Sequence, residues 1–206
     1  NRRLGIDKGI SIETVSLDST IMPNLIPNKG NYRELLCYRK AEAIYDITYH
    51  FAKHYLTVGD RTVDQMIQAA RSGKQNIVEG YAAGATSAES ELKLFNVAKS
   101  SLQELLIDYE DYLRTRGLPR WEKESEQMRC AQQLGREHND TEFWMNIIRT
   151  RDAGTIANIA IVLIYQADYM LYKYLQATSE RFVAQGGFRE KLTRVRLEER
   201  RKKQGY

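Results

Sequence analysis

Proline is nearly absent: Pro23, Pro27 and Pro119 are the only three in 206 residues. Segments 28–118 and 120–206 hold none, so nothing in them removes a backbone donor or blocks a helical turn. Cysteine is equally scarce. Cys37 and Cys130 lack C-x-x-C spacing and have no histidine cluster beside them, which excludes a disulfide framework and a thiolate metal centre. Both are expected as buried thiols in the reducing cytoplasm. The most apolar stretch, TIANIAIVLIYQADYMLYKYL, is interrupted by Asn158, Gln166, Asp168 and Lys173, so no membrane association is expected.

Catalytic signatures are missing too. Gly73-Lys74 has neither the preceding glycine nor the following hydroxyl of a phosphate-binding loop, and no G-x-S-x-G occurs. Arg136, Glu137, His138, Asn139 and Asp140 gather an acid, a base and amides without a positioned nucleophile. His50 and His54 stand four residues apart on a helical pattern with no third ligand in register. The expectation is therefore no enzyme, no cofactor, no metal and no small-molecule substrate.

What is present is helical periodicity. Composition near globular averages, 42% hydrophobic and 28% charged, permits a full core in a chain of this length. Residues 1–30 show no sustained period and carry Gly5, Gly9, Pro23, Pro27 and Gly30; they read as an arm. From residue 31, Leu35, Tyr38, Ala41, Tyr45, Thr48, Ala52 and Tyr55 draw one stripe along a first helix that Gly59 ends. Asp60 can cap a second, with Val63, Ile67, Ala70 and Ile77 as its stripe, small residues at Ala69, Ala70, Ser72 and Gly73, and a break at Gly80 and Gly84.

Thr86 to Glu89 has capping-box spacing before a third helix striped by Phe95, Ala98, Leu102, Leu105, Tyr109 and Tyr112, which Gly117, Leu118 and Pro119 stop. Residues 119–153 read as an insertion packed on the end of the body, with a helix near 122–134. A fourth long helix, about 155–178, is apolar almost all round between Ile156 and Ile164 and should be central. The predicted class is all-α: an antiparallel up-and-down four-helix bundle over 31–188, with that helical insertion between the third and fourth helices and a helical C-terminal extension over 189–206.

Charge is unevenly distributed. Residues 189–206 hold eight Lys/Arg against three Glu, a net +5, while the remainder sums to −1 of the total +4. The candidate phosphate contacts are Arg194, Arg196, Arg200, Arg201, Lys202 and Lys203 in this tail, with Arg39, Lys40, Arg61, Arg71 and Lys74 on the first two helices. Ser72, Asn76 and Glu79 fall on one side of the second helix and, with Asp168, are expected in a polar network joining helices, tyrosine hydroxyls supplying donors.

The run DQMIQAARSGKQNIVEG followed by KLFNVAKSSLQELLIDYEDYL resembles the four-helix-bundle proteins first noticed as reading frames within intervening sequences of bacterial large-subunit ribosomal RNA genes. Their helix pattern is matched by Gln65, Ala69, Ala70, Ser72, Asn76, Ile77, Glu79 and Gly80. RGLPRWEK, LGREHND, TIANIAIVLIYQADY and AQGGFRE resemble the long form with a C-terminal suffix. The resemblance spans about 28–197 and implies a left-handed bundle whose relatives form homopentamers. It also implies kinship with the accessory protein of diversity-generating retroelements, a basic pentamer that binds reverse transcriptase and nucleic acid. The functional expectation is a non-enzymatic homo-oligomeric adaptor for structured RNA or a nucleoprotein partner such as a reverse transcriptase. An oligomeric protein-interaction scaffold is the alternative.

Overall fold

The computed structural model describes residues 30–57 and 59–204, and all of the expected arm at 1–30 except Gly30 lies outside them. Every regular element among the described residues is helical. A short 3-10 turn, Tyr32–Glu34, leads into α1 (Leu36–Tyr55), α2 (Arg61–Ala83), α3 (Ala88–Thr115), α4 (Glu126–Glu137), α5 (Thr141–Ile148), α6 (Ala153–Gln185) and α7 (Phe188–Lys203). Most starts are fixed by side-chain caps: Asp60, Ser125, Asp140 and Asp152 each accept from a backbone N–H two or three residues on. Ser87, not Thr86, caps α3, accepting from the Ser90 N–H; the hydroxyl that reaches the orphan donor lies one residue later than the capping-box reading placed it.

α1 packs on α2 and α6, and α3 packs on the same two helices, so the four long helices share one core. Phe51, Phe95, Leu102, Tyr109 and the whole run Ile156 to Ile164 are buried in it. One stretch, beginning in α6, is apolar enough by length and composition to cross a membrane, with mean hydropathy 1.3, and 61% of that window is buried against the other helices.

Three sequence expectations change. Gly80 does not break α2 but lies buried inside it, because a Cβ there would stand 2.7 Å from Phe95 Cδ2 and only glycine admits that ring. Gly73 plays the same part against Leu102 Cδ2, at 2.8 Å. Residues 119–153, expected on an end of the body, instead place α5 against α1 and α4 against α6. Beyond its expected stripe α1 also buries Lys40, Ala43, Ile44, Ile47 and Phe51. The third change is Cys130, which is exposed on α4, while Cys37 is buried and its thiol is pushed up to about 11 by desolvation.

Asn158 pins the segment that follows α3. It is 2% exposed, donates to the backbone oxygens of Pro119 (3.0 Å) and Gly154 (2.9 Å), and accepts from the Trp121 N–H at 2.9 Å. Gly117, at φ 62, takes the left-handed conformation that ends α3 just before this clamp.

Candidate functional site

The expected phosphate contacts divide by location. Arg39, Arg61 and Arg71 are exposed, and Arg39 Nε donates to the Arg33 carbonyl at 2.8 Å. Lys74 is half-buried with its ammonium 4.2 Å from the centre of the Tyr45 ring, a cation–π contact joining α2 to α1. Lys40 is not a phosphate contact at all. Its side chain is fully buried, and its ammonium donates to the backbone oxygens of Gly135 and His138, the latter at 3.2 Å. Those are the last carbonyls of α4, where unsatisfied acceptors and the negative end of the helix dipole favour a cation. Burial outweighs that attraction and lowers the Lys40 ammonium to about 8.

α7 carries the remaining cations. None of its residues is buried, and Arg194, Arg196, Arg200, Arg201, Lys202 and Lys203 are all exposed. Glu199 approaches Lys203 at 3.8 Å, and Glu190 is occupied at the helix start, accepting from the Gly187 N–H at 3.0 Å. The opposite electrostatic character marks the groove between α2 and α3. A cavity of about 580 Å³ there is lined by Asp64, Glu104 and Asp108. Burial and the neighbouring Asp111 and Glu104 raise the Asp108 carboxyl above its ordinary value. That face repels phosphate.

The polar groups do not form one constellation. Ser72 and Ser101 hydroxyls are 2.9 Å apart, Asn76 donates to the Ser72 carbonyl and hydroxyl, and Ser101 donates to the Val97 carbonyl, which ties α2 to α3. Glu79 is exposed and stands outside this set. Asp168 belongs to another pair of helices. Its carboxylate accepts from Lys99 at 2.5 Å and Gln103 at 2.8 Å, so α3 amide and ammonium donors take the place expected for tyrosines.

The tyrosine donors act elsewhere. Tyr174 donates to the carboxylate of Glu91 at 2.6 Å, with Arg181 at 3.7 Å; Glu91 is only 1% exposed. Tyr109 donates to the Thr48 hydroxyl at 3.0 Å, both fully buried. Burial raises both phenols, and the Glu91 carboxylate adds to the shift at Tyr174. Glu91 was hidden in the sequence by its place in a first helical turn, where acids are ordinary.

The His138 loop makes packing and capping contacts. Its ring stacks on Phe143 at 3.7 Å, its carbonyl accepts from Trp144 Nε1 as well as Lys40, and Asp140 caps α5. His50 and His54 stack at 4.0 Å; the His54 Nδ1 lies 2.7 Å from the His50 carbonyl. Among the described residues no three His, Cys, Asp or Glu side chains converge on a point fit for a metal.

A further concavity was not legible in the sequence. It is an open groove of about 900 Å³ between α4 and the outer side of α6, bordered by the 120–123 segment. Trp121, Tyr165 and Tyr169 give it aromatic walls, and Arg120, Lys123 and Arg136 give it charge. No protein-family model, curated protein or solved structure matches the chain.

Proposed function

We propose that the protein is a non-enzymatic, homo-oligomeric helical adaptor that holds structured RNA, alone or within a nucleoprotein, through α7. The observation that carries this reading is the combination of eight cations in residues 189–206 with a helix none of whose residues is buried. A 16-residue helix that adds nothing to the core is marginal in isolation, so its composition answers to solvent or to a partner. Arginine and lysine on an open helix meet backbone phosphate without reading sequence.

In this reading the four long helices run alternately up and down, with α4 and α5 as the insertion, and copies assemble in a ring, a pentamer by the family resemblance. The short connections at 56–60 and 84–87 and the mutual packing of α1, α2, α3 and α6 support that topology. Each copy would add one α7, and weak contacts around a ring sum to appreciable avidity. The alternative, a scaffold for proteins alone, draws on apolar side chains left in solvent, among them Ile107 (56% exposed) and Val183 (81%).

A salt titration of RNA binding separates the two. If about four cations per copy neutralise phosphates, log affinity falls with log salt at a slope near −3. Truncation after Gly187 leaves the core untouched and should flatten most of that slope. Absence of binding to any RNA at low salt overturns the proposal in favour of the scaffold.

A further inference from the structure

We infer that the groove between α4 and α6 is a second binding site, which takes unpaired nucleotides of single-stranded RNA. This deepens the RNA-binding reading and rests on it, but the residues and the chemistry differ from those of α7.

The groove is built by periodicity on two helices. Met128 and Arg136 project from α4 and flank Gln132 at one turn each, while Tyr165, Tyr169 and Met170 project from α6. α4 has twelve residues and is roughly 18 Å long, enough for a few stacked nucleotides at about 3.4 Å apiece. Its floor is held rigid: Gln166 donates to the Gln132 carbonyl at 2.9 Å, and Asn158 anchors the backbone of Trp121.

Charge selects the class of occupant. Three cations line the groove, and one carboxylate, Glu110, borders it through Arg120 and the Tyr165 hydroxyl, which donates to it at 3.5 Å. Arg120 is engaged by Glu110 at 2.7 Å and by the Tyr165 hydroxyl at 3.0 Å, which orients that phenol rather than leaving the guanidinium open. Lys123 and Arg136 are exposed. Both are near the ends of α4, so an anion is favoured at each end and planar apolar faces lie between. Tyr165 is 48% and Tyr169 61% exposed. Aromatic faces interleaved with cations that track a backbone are the pattern by which single strands are held, because every base has a stacking face. A duplex offers only phosphates to such a groove, its bases being stacked inside.

The chain has two tryptophans, and they report separately. Trp121 lines the groove and Trp144 is 1% exposed in the core. Titrating the full chain with hexauridylate should quench indole emission, and the Trp121→Phe protein should lose that quenching. Tyr169→Ala removes one exposed stacking face and should weaken hexauridylate binding roughly 5- to 100-fold. Lys123→Glu should weaken it and reduce its salt dependence. A blunt RNA duplex probes α7 independently, read against a full-length Arg200→Glu, Arg201→Glu protein.

Hexauridylate affinity unchanged in Tyr169→Ala and Lys123→Glu overturns the groove assignment, and leaves the α7 reading in place if duplex binding still falls in the Arg200→Glu, Arg201→Glu protein. Weakening confined to the groove variants upholds the groove and removes α7. No binding of either RNA overturns both. Quenching by a glutamate-rich amphipathic peptide, with none by hexauridylate, assigns the groove to a helical protein partner and likewise overturns the inference.

Discussion

Lys40, near the start of α1, closes the end of α4 by donating its buried ammonium to the carbonyl of Gly135, 95 residues further along the chain. A single side chain thereby satisfies acceptors that a helix end leaves open, and it ties α4 to α1. The cation is held in a desolvated place that accommodates it only because two backbone dipoles face it.

That arrangement has a pH signature. Burial lowers the Lys40 ammonium from 10.5 to about 8. Between those values the unfolded chain binds more protons at this site than the folded one, so folding stability rises with pH across the window. The cost of the charged form is fully present below 8 and relieved above 10.5, about 3 kcal/mol in all. Urea denaturation of wild type and Lys40→Met, compared from pH 7 to 10.5, should show their difference moving toward wild type by that amount. Parallel curves would mean that the ammonium is hydrated.

Gly80→Ala tests the close approach of α2 and α3. Helix propensity alone favours alanine by about 1 kcal/mol. The new Cβ would stand 2.7 Å from Phe95, whose ring is itself stacked on Tyr174 at 4.1 Å and cannot retreat. Overpacking should win, with a net loss of about 1–3 kcal/mol in thermal or denaturant unfolding. A stabilised variant would place Gly80 on an open face.

Thiol reactivity should distinguish the two cysteines. Cys130 is exposed, whereas Cys37 is buried and its thiol is raised to about 11, which removes nearly all thiolate at neutral pH. Native protein should react with Ellman's reagent at one thiol rapidly and at two after denaturation. Two fast thiols in the native state would show that the α1 surface opens.

Much of the fold was legible because it is local. The stripes at Phe95, Ala98, Leu102 and Tyr109, and the almost all-round apolar run from Ile156 to Ile164, are written at helical spacing, and all of these residues are buried. Caps such as Asp60 act over two or three residues and need no tertiary information. Gly80 was misread because a glycine chosen for a neighbouring ring looks the same in sequence as one that ends a helix.

The helical class, the rough positions of the long helices and the gathering of positive charge in the last 18 residues are all written along the chain, since propensity, periodicity and composition are properties of neighbours. Which cations are available depends instead on how the helices pack. Lys40 and Arg39 are adjacent in sequence, yet one is buried against the carbonyls of α4 and the other is exposed, because side chains one residue apart point about 100° apart around a helix. The groove was likewise beyond the sequence: Trp121, Arg136 and Tyr169 come together only when α4 is laid along α6, and no local pattern encodes which helix will cover another.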